Sequence, residues 1–185
     1  MVPITALWLP IILSAVAVFA VSAFLHMVLS YHQTDYSPVP DEASLMDDLR
    51  RAGLPPGDYV VPFAGSTKEM ATPEYIEKVT RGPVAFITIA PSGRPAMGRM
   101  LSLWFVFAVA VSIAAAYVSG RALGPGADYL EVFRFAATTA IIGYCFALWQ
   151  DSIWYYRSWS TTLKSTLDGV VYGLVTAGMF GTFWP

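Results

Sequence analysis

The sequence predicts an all-α membrane protein, in which four transmembrane helices carry a small α+β cytoplasmic loop module between helices 1 and 2. Three observations predict it. Four apolar stretches, about Thr5 to Ser30, 100–120, 129–149 and 167–184, each approach the length that a helix needs to cross about 30 Å of hydrocarbon. Hydrophobic residues make up 56% of the chain and charged residues only 13%, about half the share usual in soluble domains. Only one sizeable polar segment separates the stretches. Lipid offers nothing to satisfy a free backbone, so helix is the expected state of all four.

Residues 1–30 hold span one and a short N-terminus. No Lys or Arg precedes the apolar run and it exceeds a typical signal-peptide core, so it is expected to be retained as a span. His26 lies on a mildly polar stripe with Ser22 and Ser30. Read along a continuing helix, the six-residue separation of His26 and His32 puts them on different faces. Haem or metal ligation is therefore not expected, and His26 reads as an interhelical hydrogen-bond donor.

Residues 31–99 form the loop module. A helix is predicted from about Asp41 to Ala52, with Leu45, Met46 and Leu49 on one face, ended near Gly53 and Pro55-Pro56-Gly57. An extended run over 58–63 follows, then a helix capped by Ser66 or Thr72, with Pro73 and Glu74 suited to a first turn. A second strand is predicted over 84–89 between Gly82-Pro83 and Pro91-Ser92-Gly93. Two strands and two short helices are too little to be stable alone. The module should lean on the bilayer, the bundle or another protein. It carries Arg50, Arg51, Lys68, Lys78, Arg81, Arg94 and Arg99, and the connection before span four adds Arg157 and Lys164, whereas the connection between spans two and three offers only Arg121. The positive-inside rule then places both basic segments in the cytoplasm and both termini outside it.

Residues 100–185 hold spans two, three and four. Gly169, Gly173, Ala177 and Gly181 recur every fourth residue down span four, and Ala108, Ser112 and Ala116 do so down span two. Small side chains let helices approach closely where lipid gives no hydrophobic drive, so both faces are expected to pack, within one chain or between chains. Polar groups at membrane depth are the candidate polar site: Glu131, Arg134 and Thr138 along one face of span three, with His26 and Asp168. Glu131 and Arg134 read as an intrahelical pair, with Arg134 snorkelling outward. Asp168 reads as an acid near a helix N-terminus, one turn after Lys164. Trp154, Tyr155, Tyr156, Arg157, Trp159 and Lys164 mix aromatic rings with cations and are expected to lie in the cytoplasmic headgroup layer.

Tyr31-His32-Gln33-Thr34-Asp35-Tyr36 with Pro40-Asp41-Glu42, Gly82-Pro83-Val84, Pro91-Ser92-Gly93, Asp151-Ser152-Ile153-Trp154 and Trp159-Ser160-Thr161-Thr162-Leu163-Lys164, running to Trp184-Pro185, are the parts through which the chain resembles an uncharacterised family of small bacterial inner-membrane proteins. The resemblance implies membrane location and no activity.

A net charge of -2 without basic tracts points away from nucleic acid, and the single Cys145 allows neither an internal disulfide nor a thiolate cluster. No nucleophile elbow, Cys-His partnership or phosphate-cradling loop is present. The expectation is a non-catalytic scaffold or accessory subunit in the bacterial inner membrane, binding no cofactor and meeting the lipid bilayer and either other membrane subunits or copies of itself. A small oligomeric transporter or channel around Glu131, Arg134 and Thr138 is the alternative. A membrane enzyme gathering Asp151, Arg157, Lys164 and Asp168 at a lipid headgroup is the third.

Overall fold

A computed structural model describes all of residues 1–185 and divides them into two compact units, 1–37 with 96–185, and 38–95. The first is a helical bundle. After a 3-10 turn over Ile4–Leu7 come α1 (Trp8–Met27) and a second 3-10 turn at Tyr31–Thr34, and then, beyond the other unit, α5 (Met97–Ala122), α6 (Tyr129–Cys145), α7 (Leu148–Tyr155) and α8 (Trp159–Thr182). Three stretches are long and apolar enough to cross a membrane: Ile4–Met27, Met97–Ala122 and Tyr129–Tyr155, which takes in α6 and α7. The fourth, α8, is diluted by its glycines, threonines and Asp168 and does not reach that apolarity. It also starts eight residues before the expected 167, because 159–166 continue the helix instead of forming a connection.

Apolarity in the bundle is turned outward. Its buried core is rich in alanine, Ala15, Ala108, Ala115, Ala136, Ala140 and Ala177 packing beside Leu7, Val18, Val132 and Phe180, while Trp8, Phe24, Leu103, Val106, Leu130 and Leu167 project from its surface. That distribution suits a surface that meets hydrocarbon. α6 and α8 pack along each other, α1 contacts α5 and α8, and α5 contacts α6. A Cβ on Gly169 would stand 2.5 Å from Cys145 Sγ, one on Gly181 2.6 Å from the Tyr129 ring, and one on Gly173 would overlap Ile141. The ridge of α8 therefore faces α6 of the same chain. Ala108, Ser112 and Ala116 of α5 are buried as well, and Ser14 of α1 donates to Ser112 Oγ at 2.9 Å. At the end that holds both termini, Val2 N–H donates to Gly120 O at 2.8 Å, Gly126 N–H to Pro185 O at 2.7 Å and Trp184 Nε1–H to Gly124 O at 2.9 Å.

The 38–95 unit contains α2 (Glu42–Ala52), β1 (Gly57–Val61), α3 (Thr67–Met70), α4 (Pro73–Arg81) and β2 (Ala85–Ile89). Its helix starts are set locally: Asp41 Oδ1 accepts from Ser44 N–H at 3.1 Å, Ser66 Oγ from Glu69 N–H at 3.2 Å and Thr72 Oγ1 from Tyr75 N–H at 3.3 Å. Ser66 and Thr72 thus each cap a helix of their own. Gly53 ends α2 at φ 63°, a left-handed conformation that costs glycine little. β1 and β2 pair antiparallel with Tyr59 opposite Ile87, and Thr88 Oγ1 donates across the pair to Asp58 Oδ1 at 2.7 Å. No residue of this unit is buried. Residues 31–37 belong with the bundle and not with the module that they were expected to open.

Candidate functional site

α1 stops at Met27 with no glycine or proline to stop it; Val28 keeps helical geometry at φ -103° and the chain then bends into the 3-10 turn Tyr31–Thr34. That bend lays the His32 ring on the His26 ring, with centroids 4.5 Å apart and planes 12° from parallel. The expectation that the two histidines occupy different faces is overturned, because it assumed a helix that continues through His32.

The same turn meets the middle of α8. Asp168, the tenth residue of that helix and 4% exposed, stands nowhere near its N-terminus. One of its oxygens accepts from the Tyr31 hydroxyl, and the other lies 2.7 Å from His32 Nε2. His32 Nδ1 lies 2.7 Å from Asp35 Oδ2. Lys164, one turn before Asp168, donates from Nζ to Tyr31 O at 2.7 Å, to Thr34 Oγ1 at 2.7 Å and to Asp35 Oδ1 at 2.9 Å. Two carboxylates, an imidazole, an ammonium and a phenol thus form one network at the end of the bundle, with the Asp35 and Asp168 side chains 10% and 6% exposed. Buried charges persist only when paired and hydrogen-bonded, and here each has a partner.

The network sets the protonation of its members. Burial of His32 opposes its charge, but the hydrogen bonds to Asp35 and Asp168 and their negative charges outweigh it and raise the imidazole above its ordinary 6.5. Burial likewise opposes the Asp35 carboxylate, and the bonds from His32 and Lys164 outweigh it and lower the acid below its ordinary value. Burial, with the hydrogen bond to Asp168, keeps the Tyr31 phenol protonated. A bridging imidazolium between two carboxylates is the state that this arrangement favours.

Below the network lies an aromatic layer. Trp104 Nε1–H donates to Ser22 Oγ at 2.9 Å, and the rings of Tyr144 and Tyr172 meet edge to face with centroids 5.5 Å apart. The hydroxyls of Tyr144 and Tyr172 are buried without a hydrogen-bond partner.

The remaining candidates stand apart from this network. Glu131, Arg134 and Thr138 are exposed on the outer face of α6, and no ion pair joins Glu131 to Arg134. Arg134 and Thr138 instead line a shallow groove with Val118, Phe135, Thr139 and Ile142. Trp154, Tyr155, Tyr156, Arg157 and Trp159 are exposed around the α7–α8 turn, where Arg157 reaches Asp151 at 3.5 Å. Lys164 does not share their setting. Its side chain is 20% exposed and turned into the network with Asp168, while Asp151 and Arg157 pair with each other.

Tyr31, Thr34 and Asp35 enter the site without having been singled out as site residues. Lys164 and Asp168, one helical turn apart, were the available signal: they share a face, and charges on a face packed against other helices require counter-charges. Among protein-family models, curated proteins and solved structures, none matches the chain.

Proposed function

We propose that the chain is a non-catalytic accessory subunit of a membrane complex, anchored by a four-helix bundle and docking a partner protein through its 38–95 unit. One observation carries the reading: the unit has no buried residue, while Phe63 is 72% exposed and Ile76 54%, with Met46, Val79 and Val84 also exposed. Burying a large apolar side chain is worth roughly 1.5–3 kcal/mol, so a surface of this kind marks an interaction site. Eight carboxylates against six cations in 38–95 disfavour an anionic lipid surface. An apolar, mildly basic protein face is the complement.

Four spans follow if α8 crosses with the other three. Its 24 residues reach about 36 Å, enough for the hydrocarbon layer, and α1 and α6 supply the apolar flanks that its own sequence lacks. The bacterial inner membrane with both termini outside the cytoplasm agrees with the Lys and Arg count. An oligomeric transporter draws less support, because the small-residue ridge that was to join chains is occupied by α6 of the same chain.

The test is the subunit composition of the particle extracted in mild detergent at native expression level. A second polypeptide in fixed stoichiometry, lost from the Ile76→Asp variant, is expected. A particle containing this chain alone would overturn the proposal.

A further inference from the structure

We propose that His26, His32 and Asp168 form a binding site for one divalent first-row transition-metal ion, of the Zn2+ or Fe2+ type. One ligand atom from each of the three lies within 4.8 Å of the others. The geometry around them is the outer arrangement that metal-bound imidazoles require.

Each histidine has its Nδ1 occupied by an acceptor. His26 Nδ1 stands 3.0 Å from Ser22 O, and a carbonyl can only accept, so the hydrogen sits on Nδ1 and a neutral His26 offers the lone pair of Nε2. His32 Nδ1 is held by Asp35 Oδ2 at 2.7 Å, which turns Nε2 toward Asp168. A carboxylate behind one imidazole and a backbone carbonyl behind the other are the supports that fix tautomer and ring orientation at metal sites. Asp168 is oriented too, since the Tyr31 hydroxyl holds Oδ1 and leaves Oδ2 as the coordinating atom.

Binding replaces a proton. In the bridged state a hydrogen lies between His32 Nε2 and Asp168 Oδ2, 2.7 Å apart. The ion takes both atoms as ligands, the Nε2–H bond breaks, and that proton leaves to solvent. Metal–nitrogen and metal–oxygen bonds of about 2.0–2.2 Å require the pair to open to about 3.3 Å, a side-chain adjustment. The His26 ring, now stacked on His32, must pivot toward the ion about its Nδ1 contact with Ser22 O, which keeps the hydrogen on Nδ1, and its exposure at the end of α1 leaves room for that pivot. With His32 neutral, Asp35, Asp168 and Lys164 leave the network at a net charge of one negative, which welcomes a dication. Two nitrogen donors and one carboxylate select against Ca2+ and Mg2+, which take oxygen ligands, and leave a fourth position for water.

The full-length untagged chain, stripped with chelator in mild detergent, is titrated calorimetrically with ZnCl2 near neutral pH in two buffers of different ionisation enthalpy. One ion per chain is expected, with a buffer-dependent heat that reports net proton release on binding. His26→Ala and Asp168→Asn should each weaken binding at least about tenfold. His26→Ala should melt like the parent when metal-free, because the ring lies outside the ion-pair network; if Asp168→Asn does not fold, His26→Ala with Co2+ absorption as a second readout decides. Absence of saturable binding, or binding unchanged in His26→Ala, overturns the site. Neither outcome touches the docking of the 38–95 unit, so the two proposals fail separately.

Discussion

The α6–α8 seam and the 38–95 unit solve opposite halves of the folding problem. The seam has almost no local signal: Gly169, Gly173 and Gly181 are poor helix formers, and what they contribute is the absence of a side chain where α6 must come close. The 38–95 unit has local signals everywhere, with Asp41, Ser66 and Thr72 capping three helices and Gly53 ending one, yet it buries nothing. Caps are worth about 1 kcal/mol each and settle where a helix begins. They do not supply a core. Local specification and tertiary stability are separate properties, and this chain places them in separate regions.

Breaking the seam should have the largest effect. In Gly173→Leu the new Cβ would meet the side chain and backbone of Ile141, and backbone cannot move aside as a flexible side chain does. Overpacking typically costs 1–3 kcal/mol, and with backbone in the way about 3 kcal/mol or more is expected. Thermal unfolding of the purified chain in detergent measures it. A midpoint equal to the parent's would show that the seam is looser than its geometry states.

A smaller effect sharpens the bundle's side of the comparison, since its charged end is held by ionisation instead of by close approach. His32 faces Asp35, Asp168, the Tyr31 phenol and the His26 ring, with Lys164 reaching it through Asp35. Its pKa is raised on folding, so its contribution is complete below about 6.5, the unfolded value, and is lost as pH rises through the folded value. Asp35 runs the other way: its pKa is lowered, so its contribution is present above about 3.9 and is lost as pH falls through the folded value. Metal-free chain should therefore be most stable under mildly acidic conditions, between those limits, and should lose stability on the alkaline side. The thermal midpoint followed against pH measures this. The alkaline loss should vanish in His32→Gln; a parent profile that is flat from mildly acidic to alkaline pH would remove the bridging imidazolium.

What the sequence disclosed follows the same division. The apolar runs of α1, α5 and α6, the end of α2 at Gly53 and the Pro73-Glu74 first turn of α4 are properties of short windows, and they were legible. The start of α8 was not, because Trp159 to Thr166 mixes polar and aromatic residues as an interfacial connection would, and only packing makes it helix. The site was hidden for a related reason. Nothing in Met27 to Tyr31 marks a helix end; the turn is held by contacts 133 residues away in sequence, with Lys164 donating to the Tyr31 carbonyl. A continuing helix would have kept His26 and His32 apart, and their stacking exists only because that distant lysine and Asp168 draw the turn back.

The smallest expected effect tests the other region. Ile76 and Val79 lie three residues apart on one face of α4, exposed and without a core beneath them. Surface substitutions that break no contact stay within about 0.5 kcal/mol, so Ile76→Asp should leave the unfolding of the isolated chain unchanged even as it removes the partner from the native particle. The two readouts must separate for the comparison to hold. If Ile76→Asp instead lowers the midpoint of the isolated chain by more than about 1 kcal/mol, the face is already covered within the chain and its detergent shell, and the unit draws stability from the molecule that carries it. In that event the apolar surface of α4 would belong to folding, and a partner protein would have to be sought on another face.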